Sequence, residues 1–218
     1  MKIFIDSGNI KDIETLAAIG IIDGVTTNPT LLAKEPGDYR ENLKKICQIV
    51  KGPVSGEVTA VDFAGMLQQG HDIAKIDEHM IVKVPLTREG IKACKALSGE
   101  GIRVNVTLCF SAAQALLAAK AGATFISPFV GRLDDVGTNG MDLIREIVEI
   151  YDNYEFTTEV LVASCRHPIH VIEAARMGAD IATCPPAVID QMFNHPLTNI
   201  GLEKFLKDWE KAQATVKA

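Results

Sequence analysis

Short apolar runs alternate with longer amphipathic segments along the whole chain. The apolar runs are KIFID (2–6), GVTTN (24–28), PVSGEV (53–58), MIVKVPL (80–86), RVNVTL (103–108), TFISPFV (124–130), EVLVAS (159–164) and DIATCP (180–185). Their Val, Ile, Thr and Phe content is what strands prefer. Between them lie segments with helical periodicity, such as KDIETLAAIG (11–20), YRENLKKICQIV (39–50), EGIKACKALSGEG (89–101), SAAQALLAAKAGA (111–123) and PIHVIEAARMGA (168–179). Several close on a glycine just past the last periodic apolar residue: Gly20, Gly101, Gly122 and Gly178. Glycine there suits the left-handed turn that ends a helix.

Strand and helix repeated eight times predict parallel strands joined by right-handed crossovers. A doubly wound sheet and a closed (β/α)8 TIM barrel both suit the pattern. The count of eight and the even spacing favour the barrel, in a compact form. No G-x-G-x-x-G follows the first strand, which weakens the nucleotide-binding alternative. There is no linker and no low-complexity segment, so residues 1–218 are expected to form a single domain. After an eighth helix, PAVIDQMFN (186–194), a Pro-containing break is predicted over 195–201. An extra C-terminal helix is predicted over 200–213, with Leu202, Phe205, Leu206 and Trp209 on one apolar stripe. That stripe must cover one end of its own barrel or dock on a neighbouring subunit.

Parallel strands are buried on both faces and should be nearly continuous apolar runs. Here Asp6, Asn28, Glu57, Lys83, Asn105, Thr107, Ser127 and Ser164 interrupt them, mostly toward the C-terminal end of each strand. That end carries the active sites of barrel enzymes. Period-two alternation puts Asn105 and Thr107 on one face and Val104, Val106 and Leu108 on the other. Lys83 likewise opposes Val82 and Val84. If helices cover the valines, then Lys83, Asn105 and Thr107 point into the lumen.

A lysine there has two readings. It is satisfied structurally by a carboxylate such as Asp6 or Glu57, or it is a nucleophile. Desolvation disfavours an ammonium, and a neutral amine is what carbonyl attack requires. One lysine among carboxylates and amides from several strands favours the nucleophile. Asp6 and Glu57 are then candidates for acid/base work, or simply partners of Lys83. Thr107 and the serines are candidate site hydroxyls, or satisfied core hydroxyls. Arg132, on the loop after strand six, and Arg166, after strand seven, leave late strands at the face where barrels of this kind hold phosphate.

Charge and composition narrow the class further. The net charge of −6 argues against a general nucleic-acid binder, while one or two local cations suffice for a small phosphorylated ligand. The five cysteines are odd in number and show no C-x-x-C spacing, which points to a reducing, cytoplasmic setting. No apolar run reaches the 18 or so residues of a membrane helix, and no signal-peptide pattern opens the chain. The histidines His71, His79, His167, His170 and His195 make no metal motif. Asp134 and Asp135 read as a solvated turn, and Cys109 and Cys165 as small buried apolar residues.

The motifs FIDSGN, GVTTNPTLL, SGEV, IVKVPLT, NVTLCFS, ISPFVGRLDD and VASCRHP, over essentially the whole length, resemble the short transaldolase subfamily, which also includes fructose-6-phosphate aldolases. The resemblance implies Lys83 as the Schiff-base lysine and Asp6 as the acid/base for the C4 hydroxyl. It implies Glu57 and Thr107 as the pair positioning a water. Asn28 and Asn105 would hold the hydroxyls of a dihydroxyacetone unit. Ser127 and Phe129 would line the donor site, and Arg132, Ser164 and Arg166 would bind phosphate. Glu57 and Phe129 match the transaldolase choice, where aldolases of the group tend to carry Gln and Tyr. The substrates implied are ketose and aldose phosphates, handled without a metal or organic cofactor. The resemblance also implies a homo-oligomer, a pentamer or decamer, with the C-terminal helix reaching a neighbour. Fructose-6-phosphate aldolase is the nearest alternative. A non-catalytic sugar-phosphate-binding barrel and a metal-dependent aldolase come after it.

Overall fold

The computed structural model describes residues 1–216. In chain order the elements are β1 (Lys2–Asp6), α1 (Ile10–Ala17), β2 (Gly24–Thr26), α2 (Pro29–Leu32), α3 (Tyr39–Val50), β3 (Val54–Glu57), α4 (Phe63–Ala74), β4 (Met80–Pro85), α5 (Arg88–Gly99), β5 (Val104–Cys109), α6 (Ala112–Ala121), β6 (Phe125–Pro128), α7 (Val130–Asp134), α8 (Gly140–Asn153), β7 (Glu159–Val162), α9 (Pro168–Met177), β8 (Ile181–Cys184), α10 (Pro186–Phe193) and α11 (Pro196–Val216). The eight strands pair in parallel, in sequence order, and β8 closes on β1. This is the (β/α)8 barrel that the alternation implies.

Local chemistry sets the helix ends. Asn9, Asp38, Asp62, Thr87 and Ser111 each cap a helix, their side-chain oxygens accepting backbone N–H groups of the first turn. Gly122 and Gly178 close α6 and α9 at φ of +88° and +86°, a conformation that a Cβ disfavours.

Alternation along each strand separates two cores. Val82, Val84, Val104 and Val106 face outward into the main core between barrel and helices. Phe4, Ile81, Phe125, Leu161 and Ile181 face inward and pack together in the lumen, with Phe4 and Phe125 edge-to-face at 6.1 Å. Asp6, Lys83, Ser127 and Thr183 lie two residues further along their strands, so they share the inward face one layer higher. The lumen is therefore plugged with apolar side chains below and polar above. A one-residue register slip would turn that polar layer into the helices, so burial fixes the register strongly.

Three boundaries differ from the sequence reading. β2 stops at Thr26, because Asn28 caps α2 and Pro29 opens it at the favoured first position. Arg132 sits in the short helix α7 rather than in a loop, with the Val130 and Gly131 N–H groups bonded to the Ala163 and Ser164 carbonyls. The break predicted over 195–201 is far shorter. Pro196 starts α11, which runs through Gly201, and His195 Nδ1 accepts the Leu197 N–H at 3.2 Å. The stripe of Leu202, Phe205, Leu206 and Trp209 is 55–72% exposed, so α11 does not cover its own barrel with that face. Among the described residues no helix is long and apolar enough to cross a membrane.

Candidate active site

The strand register builds the site. Glu57 on β3, Lys83 on β4 and Asn105 on β5 are direct lateral partners. Lys83 is buried, with 5% of its surface exposed. Its Nζ pairs with Glu57 Oε2 at 3.0 Å and donates to the Thr27 carbonyl at 2.9 Å. Of the two carboxylates considered as its partner, Glu57 fills the role because it lies on the adjacent strand in register. Asp6 stands across the lumen on β1.

Asp6 is held by a chain of hydroxyls. Thr26 donates to Asp6 Oδ1 at 2.8 Å, and Thr183 lies 2.6 Å from the Thr26 oxygen. Thr26 has one proton and gives it to the carboxylate, so Thr183 must donate to Thr26. Burial raises the Asp6 pKa above its usual value, while the Thr26 hydrogen bond and the Lys83 charge pull it back. Removing that hydroxyl should let the pKa climb. If Asp6 acts as a base, Thr26→Val is expected to move the acid limb of kcat/KM to higher pH and leave the alkaline plateau in place. Thr26→Ser is expected to leave the limb where it is. A pH–rate profile with an unmoved limb in the valine variant would show that Asp6 is not the group titrating.

β5 carries an irregularity between Val106 and Cys109, with Leu108 at φ of +59°. Bulges of this kind re-aim side chains beside active sites. Thr107 Oγ1 next to it is the one buried side-chain oxygen or nitrogen without a partner among the described residues. Both hydrogen-bonding groups of the Asn105 amide are engaged: Nδ2 donates to Ser55 and Oδ1 accepts from Ser127, at 3.1 and 2.8 Å. Asn105 thus lies beneath the cavity and braces Ser127. Asn28 spends its Oδ1 on the Leu31 N–H at 2.9 Å, which leaves its Nδ2 as donor at the cavity wall.

Asp6, Thr26, Asn28, Lys83, Thr107 and Ser127 line a cavity of about 250 Å³. Phe129, Arg132, Ser164 and Arg166 continue the same wall. A second cavity of about 320 Å³ shares Asn28, Lys83, Thr107, Phe129 and Arg132 and adds Glu57. Every residue singled out from the sequence therefore reaches one of the two, except Asn105. The Arg132 guanidinium lies 5.3 Å from the Phe129 ring centroid, a cation–π arrangement. Ser164 has φ of +61°, turning the chain off β7 toward Arg166. Chemically, the site offers one amine beside one carboxylate, a second carboxylate across the lumen, and two guanidinium groups above. An amine can add to a carbonyl, and the arginines suit an anion. All five cysteines are free and buried, and burial pushes the Cys109 thiol up to about 11, which disfavours the thiolate.

Residues 3–216 match the family described as transaldolase/fructose-6-phosphate aldolase. The chain belongs to this family. A "Probable transaldolase" of Kosmotoga olearia is 56% identical over 211 residues, 97% of each chain. One from Anaeromyxobacter dehalogenans is 57% identical over 217 residues, the full length of both. A third, from Methanococcus maripaludis, is 59% identical over 96% of this chain and 98% of its own.

Several further residues support the site without having stood out in the sequence. Thr26 and Thr183 are polar residues in strands, the same signal that exposed Asn105 and Thr107. Asp134 and Asp135, read as a solvated turn, are both engaged. Asp134 accepts the Gly140 N–H at 2.9 Å and meets His170 Nε2 at 2.9 Å, and Asp135 pairs with Arg166 at 2.7 Å. Gly140 is six residues on, but His170 and Arg166 lie 36 and 31 residues from their aspartates, and no local pattern marks them.

Proposed function

We propose that this chain is a transaldolase working as one catalytic barrel, and that Lys83 carries a dihydroxyacetone unit as a Schiff base from a ketose phosphate to an aldose phosphate. The supporting observation is the buried amine. Lys83 sits on the polar layer of the lumen, 3.0 Å from a carboxylate able to take its proton, with cavity on one side. The family membership and full-length likeness to proteins named transaldolase give the reading its chemistry.

In this reading Nζ, its proton passed to Glu57, attacks C2 of fructose 6-phosphate or sedoheptulose 7-phosphate. Loss of water from the carbinolamine leaves an iminium, with Glu57 and Thr107 handling a water between them. Thr107 Oγ1 suits that task, being buried without a partner among the described residues. Asp6 takes the C4 hydroxyl proton, the C3–C4 bond breaks, and its electron pair flows into the iminium to form an enamine. The aldose phosphate leaves. Enamine carbon C3 then attacks erythrose 4-phosphate or glyceraldehyde 3-phosphate, and hydrolysis frees Lys83. The iminium is the electron sink, so the scheme calls for no metal or organic cofactor. Asn28 and Ser127 would hold the hydroxyls, with Asn105 behind Ser127. Phe129 lines the donor site, while Arg132, Ser164 and Arg166 take the phosphate.

Transfer competes with protonation of the enamine, which would release free dihydroxyacetone as in a fructose-6-phosphate aldolase. Phe129 favours transfer because its ring brings no hydroxyl that could order a water over the enamine. Fructose 6-phosphate mixed with erythrose 4-phosphate is expected to yield sedoheptulose 7-phosphate rapidly, with little free dihydroxyacetone. Steady dihydroxyacetone release would overturn the transferase reading in favour of the aldolase.

We also place the protein in the cytoplasm, as five free cysteines suit a reducing compartment, with its transferase activity serving the non-oxidative pentose phosphate route. We propose a homo-oligomer, supported by the exposed stripe of α11. Deleting residues 200–218 is expected to lower the mass seen by light scattering. An unchanged mass would assign the assembly to other faces.

A further inference from the structure

His167 and His170 lie with ring centroids 3.9 Å apart, tilted by 38°, and neither has a part in the scheme above. A metal is a poor account of them, because both ring nitrogens of His170 are already engaged. Its Nδ1 accepts the backbone N–H of Arg166 at 3.2 Å. A backbone amide can only donate, so Nδ1 is unprotonated and the ring proton sits on Nε2. Nε2 lies 2.9 Å from Asp134 Oδ2. The other oxygen of Asp134 accepts the Gly140 N–H at 2.9 Å, at the start of α8. His170 is 4% exposed, while the Asp134 side chain keeps 35% of its surface open to water.

The tie joins two segments that are distant in sequence and also meet through the Arg166–Asp135 ion pair at 2.7 Å. Asp134 ends α7, the short helix that carries Arg132. Arg166 lies in the turn between β7 and α9, and His170 is on α9. The segments also touch at Gly131, whose N–H bonds to the Ser164 carbonyl at 3.2 Å. A Cβ on Gly131 would collide with that carbonyl and with the Arg166 side chain, so the approach is as close as a backbone allows. Arg166 and Arg132 leave this seam toward the same cavity wall.

We propose that His170 is a positioning residue, a neutral imidazole that locks the Arg132 and Arg166 segments together as a preformed clamp for the phosphate of the substrate. The proposal rests on the sugar-phosphate reading of the site. Burial and the neighbouring His167 lower the His170 pKa, against the pull of Asp134 and Glu173, which favours the neutral ring that the hydrogen bonds require. The backbone carrying the two arginines then needs little reordering when an anion arrives, although the Arg166 guanidinium must share its contact with Asp135, and such preorganisation appears in binding rather than in the bond-breaking step.

Two variants test it. His170→Phe keeps the ring volume and removes both nitrogens. Asp134→Asn leaves one oxygen where two N–H groups need an acceptor. In each, the KM for fructose 6-phosphate and the Kd for inorganic phosphate measured by calorimetry are expected to rise together, about ten- to a hundredfold. The kcat is expected to move less than about threefold. Borohydride trapping of unphosphorylated dihydroxyacetone on Lys83 is expected to be unchanged, which also shows that the barrel is intact. If His170→Phe does not fold, Asp134→Asn alone decides. Unchanged KM and phosphate Kd would overturn the proposal. So would a wild type that binds no phosphate, or an equal loss for phosphorylated and unphosphorylated carbonyls. A wild type that binds phosphate but traps no carbonyl would instead sink the Schiff-base reading and leave the clamp standing.

Discussion

Lys83→Met is expected to abolish transfer, with kcat down by about four orders of magnitude or more, the scale on which enzymes lose activity with their nucleophile. Methionine keeps the length and the apolar stem of the side chain but has no amine to add to a carbonyl. In the wild type, borohydride should reduce the iminium and leave the donor carbon skeleton covalently on Lys83. In the variant no mass should be added anywhere on the chain. The fold should survive. Glu57 loses its cation and the Thr27 carbonyl loses a donor, at a cost of about 1–3 kcal/mol for groups left unmatched. The Glu57 side chain, however, retains 15% exposure and can be hydrated from the cavity. Thermal unfolding measured beside the trapping assay separates loss of chemistry from loss of structure. Full turnover in the variant would end the Schiff-base proposal and revive the reading of Lys83 as a structural partner of Glu57.

That choice between partner and nucleophile shows how far the chain alone could be read. A charged residue in a run of β-branched apolar residues was visible without any structure, and period-two alternation correctly turned it into the lumen. Which carboxylate it meets was not visible. Asp6 and Glu57 both end strands on the inward face, and only the barrel register makes Glu57 the lateral neighbour of Lys83. The strands were legible because burial on both faces imposes a strong compositional rule. The tail was less so: Pro196 was read as a break because proline interrupts helices, whereas at the first helical position it starts one. The arginines proposed to take the phosphate could be suggested from their place after late strands. The seam joining them could not, because Asp134, Gly131 and His170 meet only once two barrel loops have been brought side by side. Long-range polar contacts carry no periodicity, so a sequence shows the residues but not the pairing.

Asp6→Asn should separate the two halves of the proposed chemistry. The asparagine carbonyl oxygen can still accept the Thr26 hydroxyl now bonded to Asp6 Oδ1 at 2.8 Å, so the side chain should stay in place. What disappears is the base for the C4 hydroxyl. Loss of a positioned base costs roughly 10²–10⁴-fold, and the expected fall in kcat for fructose 6-phosphate lies in that range. In the proposed scheme imine formation uses Lys83 and Glu57, on the far side of the lumen from Asp6, and should continue. Borohydride should therefore trap the intact six-carbon ketose phosphate on Lys83 of the variant, where the wild type is expected to trap mainly the three-carbon fragment after cleavage. A change of trapped species with an undiminished yield would tie Asp6 to carbon–carbon cleavage alone. Equal loss of all adducts would mean that Asp6 also supports attack by the amine, a role consistent with its electrostatic pull toward the Lys83 charge. The same wild-type fragment trapped at the same rate in both proteins would remove Asp6 from the mechanism and leave the raised pKa as a consequence of burial without catalytic use.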